Sequence, residues 1–124
     1  MQYDEFIISV RERGVPSEQA ETLTHATLRV LAERLTGGEA DDLRAQLPGE
    51  LQADLIPPTP EAESFGPAEF AQRVARQAKV GEADARQGMV AVLATTRDAV
   101  EPGEFDDVVA QLGRQYAELI GSVR

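Results

Sequence analysis

The chain has 124 residues, of which 42% are apolar and 5% aromatic, which is enough to bury one largely aliphatic core. Cysteine is absent, and this excludes disulfide bonds, a thiolate nucleophile and cysteine-ligated metal sites. The formal net charge of −10 disfavours binding to nucleic acid or to an anionic membrane, because both attract positive charge.

The first residues argue against an export signal. Asp4 and Glu5 stand where a signal peptide carries basic residues, and no apolar run approaches the ~18 residues of a membrane span. We therefore expect a soluble, cytoplasmic protein. The negative charge is concentrated in residues 1–56, which carry 5 basic and 11 acidic side chains, and its simplest effect is to favour solubility.

Apolar residues recur at helical spacing through the first half of the chain, and no strand-type alternation stands out, which predicts an all-α protein. Ser17 is expected to cap the long second helix, and Gly37 and Gly38 are expected to close it in a left-handed conformation. Four helices are predicted there, at about residues 4–13, 18–35, 38–47 and 48–56.

Residues 57–65 are rich in proline and acid, which predicts a linker. Beyond the linker the same order of helices recurs. These helices are predicted to begin at Gly66-Pro67, to run over residues 82–100, to restart at Glu104, and to finish with a helix that holds Tyr116, Leu119 and Ile120. We expect a single domain, residues 1–124, that contains two repeats, residues 1–56 and 66–124.

One acidic phrase occurs twice, as GEADDLRAQL over residues 38–47 and as GEFDDVVAQL over residues 103–112. Seven of its ten positions are identical at an offset of 65 residues. Each copy is predicted to open a helix with its three acids in the first turn, where the helix dipole favours each carboxylate by ~0.3–1 kcal/mol. Clustered carboxylates also suit calcium or magnesium, but no D-x-D-x-D-G loop is present, and we expect no metal or cofactor.

A repeat of this size is marginal alone, because small chains bury too little of their surface. We therefore predict a helical bundle of two pseudo-symmetric three-to-four-helix repeats, packed through their long helices about an approximate two-fold axis. The second long helix is less apolar at three matched positions, with Gly88, Thr95 and Thr96 in place of Leu23, Val30 and Leu31. This thinner stripe favours a cleft or a partner contact near its C-terminal end.

Several short motifs cover nearly the whole chain: Tyr3-Asp4-Glu5-Phe6 leading to Val10, then Gly38-Glu39-Ala40, Ala45-Gln46-Leu47-Pro48, Phe70, Val74 and Ala110-Gln111-Leu112. On these motifs the chain resembles a bacterial family catalogued as domain of unknown function 2267. The resemblance implies a small all-helical protein with an internal duplication and no established activity or catalytic residue. Gly113 departs from the pattern, since it stands where the first repeat has Pro48.

His25 is the only histidine, and it lies in the middle of the first long helix. Glu21, four residues earlier, can hold its imidazolium in a pH-sensitive contact. The favoured interpretation is a partly exposed histidine on a helix surface. The second repeat has Val90 at the matching position, so any chemistry of His25 belongs to one repeat.

A row of basic residues follows the linker: Arg73, Arg76 and Lys79 at spacings of three, with Arg86 beyond the next turn. The row can grip a phosphate or an acidic partner, or it can form the solvated face of an amphipathic helix. The sequence contains no phosphate-binding loop, dinucleotide fingerprint or nucleophile elbow.

These features favour a non-catalytic helical module that binds a protein partner or a second copy of itself. The alternative is an enzyme or small-ligand binder that uses a cleft between the repeats, with His25, the basic row, Thr95 or Thr96 as its polar groups. Nucleic-acid binding through the basic row is a third hypothesis, and the acidic composition disfavours it.

Overall fold

The structure is a computed structural model that describes residues 1–123. Those residues form eight α-helices and one 3₁₀ turn and contain no strand, which confirms the predicted all-α class. The elements in chain order are α1 (Tyr3–Glu12), α2 (Ser17–Arg34), α3 (Gly37–Arg44), α4 (Gly49–Gln52), the 3₁₀ turn (Ala53–Leu55), α5 (Pro67–Ala78), α6 (Glu82–Ala99), α7 (Pro102–Leu112) and α8 (Arg114–Gly121). Across residues 1–123, no helix combines the length and the apolar character that crossing a membrane requires.

Helix α1 begins with a capping bond and is followed by a turn at a glycine. The backbone N–H of Gln2 donates to Oε1 of Glu5 at 2.9 Å, which satisfies a donor at the open end of the helix. Phe6 and Val10 are fully buried on its inner face. The chain then turns at Gly14, whose φ of +99° is a conformation that glycine adopts without strain.

The two longest helices, α2 and α6, have 18 residues each and pack against each other. Their approach is close where Leu23 of α2 lies over Gly88 of α6. A Cβ added at Gly88 would lie 2.8 Å from Cδ1 of Leu23, whose side chain is fully buried. The missing side chain at Gly88 therefore lets the two helices come together. Helix α1 also packs on α6, and α5 packs on α2.

The predicted caps of the first long helix are wrong. The residue after α2 is Leu35, whose backbone is extended (φ −108°, ψ 149°). Its side chain is fully buried in the core. Gly37 and Gly38 do not close α2 in a left-handed conformation; they are the first two residues of α3. Thr36 caps α3 by accepting a first-turn N–H at 3.3 Å. Ser17, the expected cap of α2, is instead its first helical residue.

The acids of the repeated phrase are spread over two helical turns. Helices α3 and α7 begin at Gly37 and Pro102, so only Glu39 and Glu104 lie in a first turn. The prediction of three first-turn acids in each helix is therefore wrong. The remaining four lie one turn later, where the helix dipole has faded: Asp41, Asp42, Asp106 and Asp107.

Thr95 and Thr96 belong to the core. Both are fully buried, and their hydroxyls donate to the carbonyls of Ala91 and Val92, four residues earlier in α6, at 2.8 Å each. A threonine that bonds its own helix presents a largely apolar surface to its neighbours. The thinner apolar stripe of α6 therefore opens no cleft at these two threonines, contrary to the expectation from sequence.

Arg34 holds the segment before α5 against the helices. Its buried guanidinium donates to the carbonyls of Phe65 at 2.9 Å, Glu63 at 3.0 Å and Leu112 at 2.7 Å. The hydroxyl of Tyr116 donates to the same Phe65 carbonyl at 2.7 Å. One cation thus joins α2, the segment before α5 and the C-terminal end of α7, where free carbonyls favour positive charge.

Candidate functional site

His25 lies on α2, and both of its ring nitrogens have partners. Nδ1 is 2.5 Å from Oδ2 of Asp54 in the 3₁₀ turn, and Nε2 is 3.1 Å from the hydroxyl oxygen of Tyr3, the first residue of α1. The Tyr3 hydroxyl donates to Oε1 of Glu21 at 2.7 Å. A chain of hydrogen bonds, here called the His25 chain, therefore runs from Glu21 through Tyr3 and His25 to Asp54.

Asp54 anchors the His25 chain. Its side chain is only 7% exposed, and its second oxygen accepts from Nε of Arg29 at 3.0 Å. Burial raises the pKa of Tyr3 and the hydrogen bond to Glu21 raises it further, so the phenol stays protonated at neutral pH. Tyr3 is therefore a hydrogen-bond donor and not a phenolate nucleophile. The His25 chain can hold and pass a proton. Neither nitrogen of His25 is left free for a substrate.

Sequence reasoning found only part of this site. A direct contact between His25 and Glu21 was one of two interpretations, and the less favoured, but the Tyr3 hydroxyl lies between them. Sequence reasoning missed Asp54 altogether. The available signal was the position of Asp54 between the fully buried Leu51 and Leu55, because a carboxylate among buried residues needs a partner.

Arg73, the first residue of the basic row, is enclosed by acids. Its guanidinium pairs with the carboxylates of Glu33 at 3.0 Å, Glu63 at 3.1 Å and Glu69 at 2.6 Å. It also lies over the Phe65 ring, 3.9 Å from the ring centroid, in a cation–π contact. The hydrogen bond from Arg73 lowers the pKa of Glu63. The local charge is negative, and Arg73 is already fully engaged within the chain.

The rest of the basic row is divided between two surface hollows. Arg76 shares a hollow of about 250 Å³ with Arg73 and Glu33. Arg86 borders a separate hollow of about 530 Å³ at the start of α5, together with Gln115 and Glu118. Lys79 is exposed and follows α5 in a left-handed conformation, with φ of +59°. The side chains of the basic row therefore do not converge on one ligand.

Thr95 is joined to α1 and not to the other candidates. Its hydroxyl oxygen accepts from Nη1 of Arg13 at 3.0 Å, and Nη2 of Arg13 pairs with Asp98 at 2.5 Å. Thr96 bonds within its own helix. The polar residues singled out from sequence therefore serve different contacts in different parts of the fold.

The two glutamates of the repeated phrase meet. Carboxylate oxygens of Glu39, Asp42 and Glu104 lie within 4.8 Å of one another. Burial, and then the neighbouring Glu39, raise the pKa of Glu104 to about 8. The buried Oε2 atoms of Glu39 and Glu104 have no hydrogen-bond partner within residues 1–123. Such a pair can share one proton, and three oxygens at this spacing can contribute ligands to a divalent cation.

Two glutamines beside this pair bond to opposite helices. Oε1 of Gln46 accepts the N–H of Glu101, at the start of α7, at 2.7 Å. Oε1 of Gln111 accepts the N–H of Thr36, at the start of α3, at 3.0 Å. Gln46 and Gln111 hold the same position in the two copies of the phrase, 65 residues apart, so the contact is reciprocal.

Residues 3–119 match the model of a family described as an uncharacterized conserved protein, DUF2267. The chain belongs to the DUF2267 family. No match was found among curated proteins. The DUF2267 match includes every residue of the His25 chain and both members of the glutamate pair, but a family without a characterised activity supplies no role for them.

A further surface lies within the DUF2267 match, on α1. Ile8 is 44% exposed, and it borders a hollow of about 340 Å³ together with Asp4 and Arg11. Asp4 lies one turn before Ile8 and Arg11 about one turn after it, on the same side of the helix. These three residues are called the α1 face: an acid at one end, an apolar centre and a base at the other end.

Proposed function

We propose that this DUF2267 protein is a non-catalytic helical module that associates with a second copy of itself through the α1 face. The observation that carries the proposal is Ile8, exposed between Asp4 and Arg11. If two α1 helices pack antiparallel about an axis at Ile8, Asp4 of each copy faces Arg11 of the other. Asp4 and Arg11 are thus complementary in charge across the axis, and antiparallel helix dipoles add a favourable contribution. The exposed Glu5 and Glu12, on the other side of Ile8, face each other between the two copies and weaken the association.

The size of this surface determines how tight the dimer is. One side of a ten-residue helix is much smaller than the roughly 800 Å² that a standard interface buries on each partner. The charge pairs lie at the rim, where exposed ion pairs contribute about 0.2–1 kcal/mol each. We therefore expect a weak, reversible dimer that forms at high micromolar concentration or above.

Sedimentation equilibrium from about 10 µM to about 1 mM tests the proposal, since that range covers weak association. The apparent mass of the wild type should rise towards that of a dimer, and Ile8→Glu should remain monomeric. Ile56→Glu is the matched control, because it places the same charge at a 63%-exposed isoleucine outside the α1 face, and it should associate like the wild type.

Charge reversal sharpens the test. Asp4→Arg and Arg11→Asp should each weaken association, and the double variant should restore it, since each ion pair is re-formed with its signs exchanged. A wild type that stays monomeric over the whole range contradicts the proposal. So does association that Ile56→Glu abolishes and Ile8→Glu does not.

We also infer that the chain is one domain of two repeats, residues 1–56 and 66–124, joined by residues 57–65 and related by an approximate two-fold axis. The reciprocal bonds of Gln46 and Gln111 support this arrangement. Further support comes from three contacts between positions 65 residues apart: Gln19 with Asp84 at 3.2 Å, Leu23 with Gly88, and Glu39 with Glu104. Residues touch their own counterparts only near a two-fold axis.

The other hypotheses have less support. An enzyme or small-ligand binder with a cleft between the repeats needs polar groups that converge, whereas His25, Arg73 and Thr95 are each bonded to different partners in the chain. Nucleic-acid binding needs an accessible basic surface, and the guanidinium of Arg73 is surrounded by carboxylates.

A further inference from the structure

We propose that His25 is a proton-operated latch that fastens the start of α1 to the 3₁₀ turn. The ring belongs to α2 and lies between Asp54 on one side and Tyr3 on the other. When the ring is doubly protonated it bonds to both partners, and when it loses a proton the contact with α1 loosens. This inference does not depend on the self-association proposed above.

The donors and acceptors of the His25 chain support a doubly protonated ring. The Tyr3 hydroxyl has one proton and donates it to Glu21, so its oxygen is free to accept from Nε2–H of His25. Nδ1–H of the same ring donates to Asp54. With Asp54 as a carboxylate that accepts from both His25 and Arg29, both ring nitrogens must donate, and they do so only in the imidazolium. The imidazolium is therefore the form of the ring that satisfies every contact in the His25 chain.

A neutral ring cannot make all three contacts. If Nδ1–H still donates to Asp54, then Nε2 and the Tyr3 oxygen oppose each other with lone pairs across 3.1 Å. If the Tyr3 proton turns towards Nε2 instead, the carboxylate of Glu21 loses its donor. In either case deprotonation removes one hydrogen bond that holds the first residue of α1.

Charged groups lie on both sides of the His25 ring. Tyr3 of α1 is neutral, and α2 contributes Glu21 as well as Arg29, which pairs with Asp54. Asp54 adds a carboxylate from the 3₁₀ turn, and Glu50 of α4 acts on the Tyr3 hydroxyl through its charge. The other neighbours of α2, helices α5 and α6, pack on it too, and the α6 contact includes Leu23, two residues from His25 on the buried side. Glu21, Asp54 and Glu50 are thus the carboxylates around the ring and the Tyr3 hydroxyl, and Arg29 is the cation.

The sign of the pH effect follows from the number of hydrogen bonds that each form of the ring can make. A histidine that is held protonated in the folded state contributes stability that is present at acidic pH and is lost as the ring titrates with rising pH. The loss is local, because it affects the start of α1, and its size is that of one ordinary hydrogen bond. We expect the hydrogen-exchange protection of α1 amides to fall roughly three- to ten-fold between about pH 5.5 and about pH 8.

The experiment uses the full chain, diluted until it is monomeric. Imidazole ¹⁵N shifts report the protonation state directly, since the protein has one histidine. Exchange of the Phe6 and Ile7 amides of α1, corrected for the intrinsic pH dependence of exchange, is compared with that of Val108 in α7. In His25→Gln, and in Tyr3→Phe, the additional fall of α1 protection should disappear, while the pH response of Val108 should match that of the wild type.

Several results would overturn the latch. One is a ring that is neutral in the folded protein at about pH 5.5, below the range in which free histidine titrates. Another is an α1 response that persists in His25→Gln. If that variant does not fold, Tyr3→Phe carries the test, because it keeps the ring and its bond to Asp54 and removes the bond to α1; an unchanged α1 response in Tyr3→Phe refutes the proposal.

Discussion

Replacing Gly88 with alanine tests whether α6 requires a glycine where it meets α2. The added Cβ would lie 2.8, 3.0 and 3.1 Å from Cδ1, Cδ2 and Cγ of Leu23, all shorter than an ordinary van der Waals contact. Leu23 is fully buried, so its side chain has little room to change rotamer. Either Leu23 leaves its rotamer or the two long helices move apart.

Two effects of opposite sign decide the outcome. Overpacking a filled core costs about 1–3 kcal/mol, whereas alanine in place of glycine inside a helix gains about 0.5–1 kcal/mol. We expect Gly88→Ala to lower the free energy of unfolding by about 1–2 kcal/mol. Leu23→Ala alone should cost about 2–5 kcal/mol, and it removes the atoms that clash. In that background Gly88→Ala should become stabilising, by about 0.5–1 kcal/mol.

Urea unfolding of the wild type, the two single variants and the double variant gives the coupling between the two sites. Gly103→Ala is the matched control, because nothing lies within 4 Å of a Cβ added in α7 at that residue, and it should be neutral or stabilising. The reasoning fails if Gly88→Ala stabilises the wild type, or if its effect is the same with Leu23 and with alanine at that position.

Two other changes test one buried and one partly exposed polar group by the same assay. Arg34→Met keeps an apolar stem but removes the donor from several buried carbonyls, so it should lower the free energy of unfolding by about 2–4 kcal/mol. Arg76→Met, at an exposed position, is the control and should change it by no more than about 0.5 kcal/mol. Equal losses in the two variants would contradict this prediction. Folding raises the pKa of Glu104 from its ordinary 4.5 to about 8, so the wild type should lose stability as pH rises through that interval. Glu104→Gln should flatten the profile and gain about 1–2 kcal/mol at alkaline pH, less than the full shift implies because the side chain is partly exposed. Asp106→Asn is its exposed control, and parallel profiles for the wild type and Glu104→Gln would contradict the prediction.

Helical periodicity located the elements because burial of one side of a helix is a local property of the sequence. Phe6 and Val10 of α1, four residues apart, share such a buried face. The boundary between α2 and α3 was not predictable from local sequence, because it depends on burial in the core. Gly37 and Gly38 match the local signature of a helix end, but the buried Leu35 draws the chain into an extended conformation first, so the glycines open the next helix.

The candidate site was less predictable because its contacts join residues distant in sequence. Glu21 lies four residues from His25, within the reach of a helical pattern, whereas Tyr3 and Asp54 are 22 and 29 residues away from it. Only the packing of α1 and the 3₁₀ turn against α2 brings them to the ring. Thr95 was misread for a different reason: its hydroxyl is satisfied within α6, so a polar residue on the helix did not indicate an opening.

The proposed two-fold arrangement explains where the two copies differ. At a two-fold axis each residue meets its own counterpart, and two equal side chains then compete for one space or repel with equal charge. Leu23 and Gly88 avoid the first problem, since the large side chain of Leu23 packs against a residue that has no side chain. The glycine makes the α6 face less apolar in sequence, but close packing on Leu23 requires it. Glu39 and Glu104 remain identical, and like charges at that distance cannot both ionise without cost. Burial is the largest cause of the raised pKa of Glu104, and the neighbouring Glu39 is the next. The second cause follows from an unchanged phrase at the point where the proposed repeats meet.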